Sequence, residues 1–359
     1  MPEELTFRKA RKEEISRISE FRKTFFEYNP LMRSYEPEYY EWKCYQNPIL
    51  PGEMWLAEDD GKVVAIKNVT PKRMKVLGDV ITVAEMGDSF THPDYQRRGI
   101  FTRLSKAARE SIVDKGVSLI YNTPDKDTAL SSYIKRLNHM PVPIEVRPLV
   151  KPLSSKQLLT TKLRSSRLAS VFSPMIDIVS QALFRISMTG TAKSGVLVCL
   201  EPTFPDDIDS LWEQASKSND VMLMRTKSYL EWRYVTNPDT YSILIARSRD
   251  GAILGYMATK IGVSENIATG FVCDFLTIDD DPNIFKKLLA IAVEEFNRKK
   301  VNVIYTWAVK GSHFDKILLK LGFLPRSKIF LLCYENELGS RVLSKAYKWH
   351  FTMGDTDNI

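Results

Sequence analysis

Cysteine and histidine are both scarce, four of each in 359 residues. Cys44, Cys199, Cys273 and Cys333 stand far apart with no C-x-x-C pair. That spacing argues against a zinc site or a redox dithiol and fits a reducing compartment. His92, His139, His313 and His350 show no metal-ligand spacing. Long apolar runs are missing too. The longest, residues 171–186, is interrupted by Ser173, Pro174, Asp177 and Gln181 and is too short and polar to span a bilayer. The opening stretch MPEELTFRKARKEE is charged and has no apolar core, so it does not read as a signal peptide. The expected location is therefore cytoplasmic. There is no G-x-S-x-G, G-x-G-x-x-G, H-E-x-x-H or Walker loop. Hydrolase, dehydrogenase and metalloprotease readings have nothing to stand on.

What is present is an ordinary globular composition, 44% hydrophobic and 26% charged. The length is comfortable for two cores. Net charge is +7 and the pI is about 9.0, which favours anionic partners. The chain also repeats itself. YYEWKCYQNP at residues 39–48 returns as YLEWRYVTNP at residues 229–238. WLAEDDGKVVAI matches ILIARSRDGAILGY, a hairpin in both copies. Further on, KGVSLIY matches KKVNVIY, and RLNHMPV matches KLGFLPR. Both halves follow one order: strand, helix, an aromatic segment ending in Asn-Pro, hairpin, long strand, helix, strand, helix, strand. Such alternation implies sheets with helices on their faces. In the repeated phrase, Trp42 and Trp232 are expected to pack a helix end against the sheet, and Asn-Pro to turn the chain into the hairpin.

The halves differ after the long strand. The first has QRRGIF, residues 96–101, at the turn into a helix; the second has DDDPNIF. A helix start offers unpaired N–H groups and partial positive charge. Gly99 lets backbone approach a ligand closely. Arg97, Arg98, Arg103 and Lys106 add positive charge, so the turn suits a phosphate or pyrophosphate. Asp279, Asp280 and Asp281 would repel one.

This pattern resembles the GNAT acyltransferase superfamily, in which Gln/Arg-x-x-Gly-x-Gly/Ala binds the pyrophosphate of acyl-coenzyme A. Gln96, Arg98 and Gly99 fit that loop, and Phe101 departs from its usual small residue. The resemblance covers residues 5–148 well, and the second half looks like the same fold without the loop. It implies an α+β fold, an α/β sandwich of two tandem GNAT-like domains, each a mixed, mostly antiparallel sheet flanked by helices. The expected divisions are an acyl-CoA-binding domain at 1–150, a helical connector at 151–195, a degenerate GNAT-like domain at 196–335 and a tail at 336–359.

By the same resemblance, two central strands splay and the pantetheine arm lies between them. Ser89, Phe90 and Thr91 should lie beside the arm. Gln96, Arg97, Arg98, Gly99, Ile100, Phe101 and Thr102 should hold the pyrophosphate, and Asn122 should bond the arm; Thr306 replaces it in the second half. Transfer to an amine needs a base and an acid. Glu85 is the candidate base, because Phe271 stands in its place in the second half, whereas Asp88 is matched by Asp274 and reads as structural. Tyr133 is the candidate acid, one residue out of step with the family spacing; the alternative is core packing. The tail from about residue 340 is expected to be solvated and partly ordered. The rival is that Asp355, Asp357 or the Ile359 carboxylate reaches the first half, as a chain-terminal carboxylate does in some tandem relatives.

The expected function is acetyl transfer from acetyl-CoA, or another acyl-CoA, to a small-molecule or peptide amine by direct attack. No metal, nucleic-acid partner or transmembrane segment is expected. The rivals are a Fem-like aminoacyl transferase using charged tRNA and a non-catalytic acyl-CoA-binding protein.

Overall fold

The computed structural model describes residues 5–24, 36–127, 129–154, 173–175, 178, 184, 195–264 and 267–356. Most of the helical connector expected at 151–195 lies outside them.

The first half runs β1 (Thr6–Lys9), α1 (Ile15–Lys23), α2 (Pro37–Tyr45), β2 (Glu53–Asp59), β3 (Lys62–Val76) and β4 (Asp79–Thr91). It continues with α3 (Ile100–Val113), β5 (Leu119–Asn122), α4 (Leu130–Arg136), β6 (His139–Pro141) and β7 (Val146–Pro152). The second half runs β8 (Leu197–Glu201), α5 (Ile208–Ala215), β9 (Val221–Leu223), α6 (Lys227–Leu230), β10 (Tyr241–Arg247), β11 (Ile253–Ser264) and β12 (Ile267–Thr277). Then come α7 (Pro282–Arg298), β13 (Val303–Val309), α8 (His313–Lys320), β14 (Leu324–Pro325), β15 (Leu332–Tyr334) and α9 (Glu337–Leu343). The helices flank two mixed, mostly antiparallel sheets, each with one parallel pair at its centre: β4 with β5, and β12 with β13.

The halves trade strands. The first sheet has the order β1-β2-β3-β4-β5-β15-β6, with β9 added on β3; the second has the order β14-β7-β13-β12-β11-β10-β8. Thus β15 of the second half lies between β5 and β6, and β7 of the first half lies between β13 and β14.

α3 shows why these residues form these elements. Its buried residues Ile100, Leu104, Ala108 and Ile112 recur every fourth position and make one apolar stripe against β2, β3 and β4. In the repeated phrase, both asparagines build the turn as expected. The Asn47 Oδ1 accepts from Ile49 N, and the Asn237 Oδ1 accepts from Asp239 N, each at 2.9 Å.

The tryptophans do something different from the expected packing on their own sheets. Trp42 and Trp232 stack on each other, ring centroids 4.7 Å apart and planes 15° apart. Trp42 Nε1 donates to Trp232 O at 2.6 Å, and Trp232 Nε1 donates to Trp42 O at 3.1 Å. The contact is reciprocal because the two copies meet across a pseudo-two-fold axis.

The tail is also corrected. Residues 351–356 are buried, not solvated, because they thread between the halves. The Asp355 carboxylate accepts from Arg225 at 2.9 Å and from Thr352 N at 2.7 Å. Arg225 also holds Asp274, which accepts from Tyr256 Oη at 2.6 Å. Burial pushes the Asp355 carboxyl up, with Arg225 opposing. Burial acts the same way on Asp274, but Arg225 outweighs it and holds that carboxyl below its usual value. Asp357 and Ile359 lie outside the described residues.

Because Trp42 and Trp232 are both buried and stacked on each other, Trp42→Ala should cost about 3–5 kcal/mol of stability, read by urea denaturation. A loss under 1 kcal/mol would show that the stack is incidental.

Candidate active site

The central strands of the first sheet part as expected. β4 pairs with β5 only at residues 83–85 with 119–121. Beyond that β4 runs on to Thr91, while Asn122 is paired on its other side to Leu332 of β15. A bulge helps the strands diverge: Ile66 faces Phe90 and Asn68 faces Gly87, so Lys67 is opposite both Asp88 and Ser89. Asp88 has φ 36°, and its carboxylate is held by Arg22 at 2.9 Å and Lys43 at 2.6 Å. Its counterpart Asp274 is held by Arg225, so both aspartates are tied into ion pairs.

At the head of α3, Arg97 and Gly99 have left-handed backbone, φ 62° and 76°. Backbone of this kind can turn successive N–H groups toward an anion. No side chain caps this helix start. Gln96 Nε2 donates to Thr91 O at 3.2 Å, fastening the loop to the end of β4. Arg98 lies over the Tyr95 ring at 4.8 Å, and Arg97 and Arg98 are exposed. Ile100 is buried below the turn, and Thr102 sits half-buried in the first helical turn. The matching helix, α7, is closed to anions: Asp281 Oδ1 accepts from its own Asn283 N at 2.6 Å and Ile284 N at 3.2 Å.

Several groups converge on the gap from the α3 and α4 side. Asn122 is buried, and neither Oδ1 nor Nδ2 has a hydrogen-bond partner. Tyr133 is buried on α4. Burial pushes its phenol above the ordinary value, with neighbouring Ser89 and Asn122 acting the other way. Asn138 follows α4 with φ 54°, the left-handed position where glycine usually ends a helix. Phe101, the departure from the family loop, sets its ring edge-on to Tyr133 at 5.2 Å. His139 packs on Tyr133 at 5.0 Å with both ring nitrogens unpartnered. Burial, aided by the charges of Lys67 and Arg109, pushes it down to about 3.

Lys67 was not anticipated. It is fully buried and donates to Ser89 Oγ at 2.7 Å and to the Tyr133 hydroxyl. Burial pushes its ammonium down to about 7, with Asp88 opposing. The available signal was parity: Lys67 alternates with Ala65 and Val69, whose side chains are buried against α3.

Glu85 is on the other face of β4, toward the tail. It is 2% exposed and pairs with Lys72 at 2.5 Å. Lys72 Nζ also donates to Asp355 O at 3.0 Å, and Tyr121 Oη donates to the same oxygen at 2.6 Å. The structure therefore sets Ser89, Phe101, Asn122 and Tyr133 together on one side of the gap and Glu85 on the other. Phe90 and Thr91 continue β4 toward the loop. Among the described residues, no group of three or more His, Cys, Asp or Glu could hold a metal, and no helix is long and apolar enough to cross a membrane.

Residues 6–136 match the family model of the acetyltransferase (GNAT) domain. The chain as a whole shares its fold with tandem GNAT proteins of known structure. It is similar to a tandem GNAT protein from the clavulanic acid biosynthesis pathway, at 15% identity and TM-score 0.59, covering 92% of this chain and 98% of that one. It is similar to Saccharomyces cerevisiae N-myristoyltransferase with bound myristoyl-CoA and inhibitors, at 14% identity and TM-score 0.64, covering 93% and 80%. It is also similar to an Enterococcus faecalis V583 protein described as a probable N-acyltransferase, at 12% identity and TM-score 0.62, covering 92% and 72%. No curated protein matches the sequence.

Lys67 lets the site's electrostatics be tested through stability. Its folded-state value lies near 7, below the unfolded lysine value, so between the two the unfolded chain binds more protons. Its burial penalty is full below pH 7 and fades as pH rises toward 10. Relative to wild type, Lys67→Met should therefore gain stability as pH is lowered from 10 to 7, read by thermal melts. A difference independent of pH would contradict the depressed value.

Proposed function

We propose that the protein is an acyl-CoA-dependent N-acyltransferase, most simply an N-acetyltransferase. The observation that carries this reading is the parting of β4 and β5 with the unpartnered Asn122 amide in the gap. An acyl-CoA fits the residues present. The uncapped start of α3, with Gln96, Arg97, Arg98 and Gly99, suits the pyrophosphate. Ser89, Phe90, Thr91 and Asn122 line the course of the pantetheine arm, and its thioester is the activated acyl donor.

On this reading Tyr133 protonates the leaving thiolate, and Glu85, reached from the face toward the tail, takes the proton from the ammonium form of the acceptor. Lys72 holds the Glu85 carboxylate in place. The amine attacks directly. A cleft of about 550 Å³ opens where β5 ends, walled by Thr123, Asp125, Tyr305, Trp307, Lys328 and Phe330, and we assign the acceptor to it.

Isothermal titration with acetyl-CoA should show binding in wild type. Gly99→Glu should weaken it by roughly 100-fold or more, because it sets a carboxylate at a helix start that favours anions. Gly99→Ala shares the backbone strain of a positive φ, about 1–2 kcal/mol, without the charge, and should bind far better than the glutamate variant. Wild type that does not bind, or Gly99→Glu that binds normally, would overturn the reading. Thiol release from acetyl-CoA across an amine panel then separates an enzyme from a binding protein.

A further inference from the structure

Lys67 is a buried cation without a counter-ion in contact. Its described partners are two hydroxyls, Ser89 Oγ and Tyr133 Oη, and two ring faces, Tyr133 at 4.9 Å and Phe101 at 5.3 Å. Each partner comes from a different element: β4, α4 and α3. Burying an ammonium this way costs stability that a methionine of similar length would not. The cost falls at one place, the bulge in the β3–β4 pairing just beyond the point where β4 parts from β5.

Tyr133 alone is a reluctant acid, because burial favours its neutral form. Resting on the acyl-transfer reading, we infer that Lys67 is a positioning and proton-relay residue for Tyr133. Its ammonium donates to the phenol oxygen, which leaves the phenol's own hydrogen to point into the gap between β4 and β5. When the thioester breaks, the Tyr133 O–H bond breaks and an S–H bond forms on the leaving thiolate. A Lys67 N–H bond breaks as the Tyr133 O–H bond reforms. Lys67 is left neutral and takes a proton back from water. The first transfer alone is uphill because burial raises the phenol, and the second offsets it because burial lowers the ammonium, so the pair together carries the proton to sulfur.

The groups that face Lys67 are few. Tyr133 comes from α4, Ser89 and Asp88 from β4, and His139 from β6. His139 is neutral near pH 7, and Asp88 is shared with Arg22 and Lys43. Arg109 on α3 acts on His139 from the same side. The relay is therefore charged below about pH 7 and lost above it.

The test uses the full chain labelled with [13Cε]lysine and titrated by NMR. One lysine should titrate near pH 7, vanish in Lys67→Met and move lower in Tyr133→Phe, where the ammonium loses its acceptor. If the signal lost in Lys67→Met titrates above pH 9, the inference is wrong whatever the enzyme does. The second arm follows thiol release from acetyl-CoA with hydroxylamine, a small amine that is uncharged above pH 7. Lys67→Met should slow release roughly 100-fold at pH 6.5. Lys67→Arg, whose guanidinium can donate to the phenol oxygen but does not give up a proton, should restore little of the rate and should lose the alkaline fall near pH 7; full recovery of the rate would rule out the relay. The double variant with Tyr133→Phe should be no slower than the slower single variant. A slow Lys67→Met with an unchanged pH profile would reduce Lys67 to packing. Failure of wild type to bind coenzyme A by calorimetry would overturn the acyl-transfer reading, whereas the lysine titration is scored independently of it.

Discussion

Each sheet is completed by a strand from the other half, and the rest of the molecule depends on that exchange. β5 has a gap on one side, where it parts from β4. Its other edge would be bare without β15. Leu332 pairs with Asn122, and Cys333 pairs with Tyr121. The half that lacks QRRGIF thus fixes the backbone of the residues that line the gap in the half that has it. The Trp42–Trp232 stack and the buried tail lock the same arrangement from the axis. Arg225 on the second half reaches Asp355, whose carbonyl is held by Lys72 and Tyr121 of the first. The second half is therefore a structural part of the gap between β4 and β5.

The two faces of the first sheet carry different electrostatics at β3 and β4. On the face toward α3 and α4, Lys67 is buried among hydroxyls and aromatic rings, so its charge is easily lost. On the face toward the tail, Lys72 is buried just as completely but contacts Glu85 and a carbonyl. Two lysines five positions apart on one strand therefore have opposite characters, one without an anionic partner in contact and one paired. The difference lies in which neighbours the sheet's alternation presents to each. Direct acyl transfer would place proton release and proton capture on opposite sides of the thioester, and this division suits it.

Much of the fold was legible because the chain repeats. The EWK and EWR phrases set the register of the two halves, and the register isolated QRRGIF as the uncopied part. The strand and helix order followed from periodicity. The exchange was not legible: β15 has three residues, and nothing in so short a run says which sheet it joins. The tryptophans misled for a related reason. A residue shared by both copies looks like a packing residue within each copy, yet on a two-fold axis its partner is its own repeat. The tail read as solvated because it is polar, but Asp355 and Thr356 are held internally by Arg225, Arg233 and Thr352. Lys67 was missed because a lysine in a strand is normally read as surface. Only the buried face of β3, where Ala65 and Val69 sit, shows otherwise.

The traded strands also bear on how the chain comes into being. A ribosome makes β5 long before it makes β15, and β7 long before β13. The first half can form its hairpins early, but it must keep the edge of β5 unpaired until residues 332–334 emerge. Pairings so distant in sequence are slow to close and leave strand edges exposed meanwhile. Two nascent chains at high concentration would each offer the strand the other awaits. The same swap made between molecules instead of within one would give an intertwined dimer, so slow synthesis of the second half carries a specific assembly hazard.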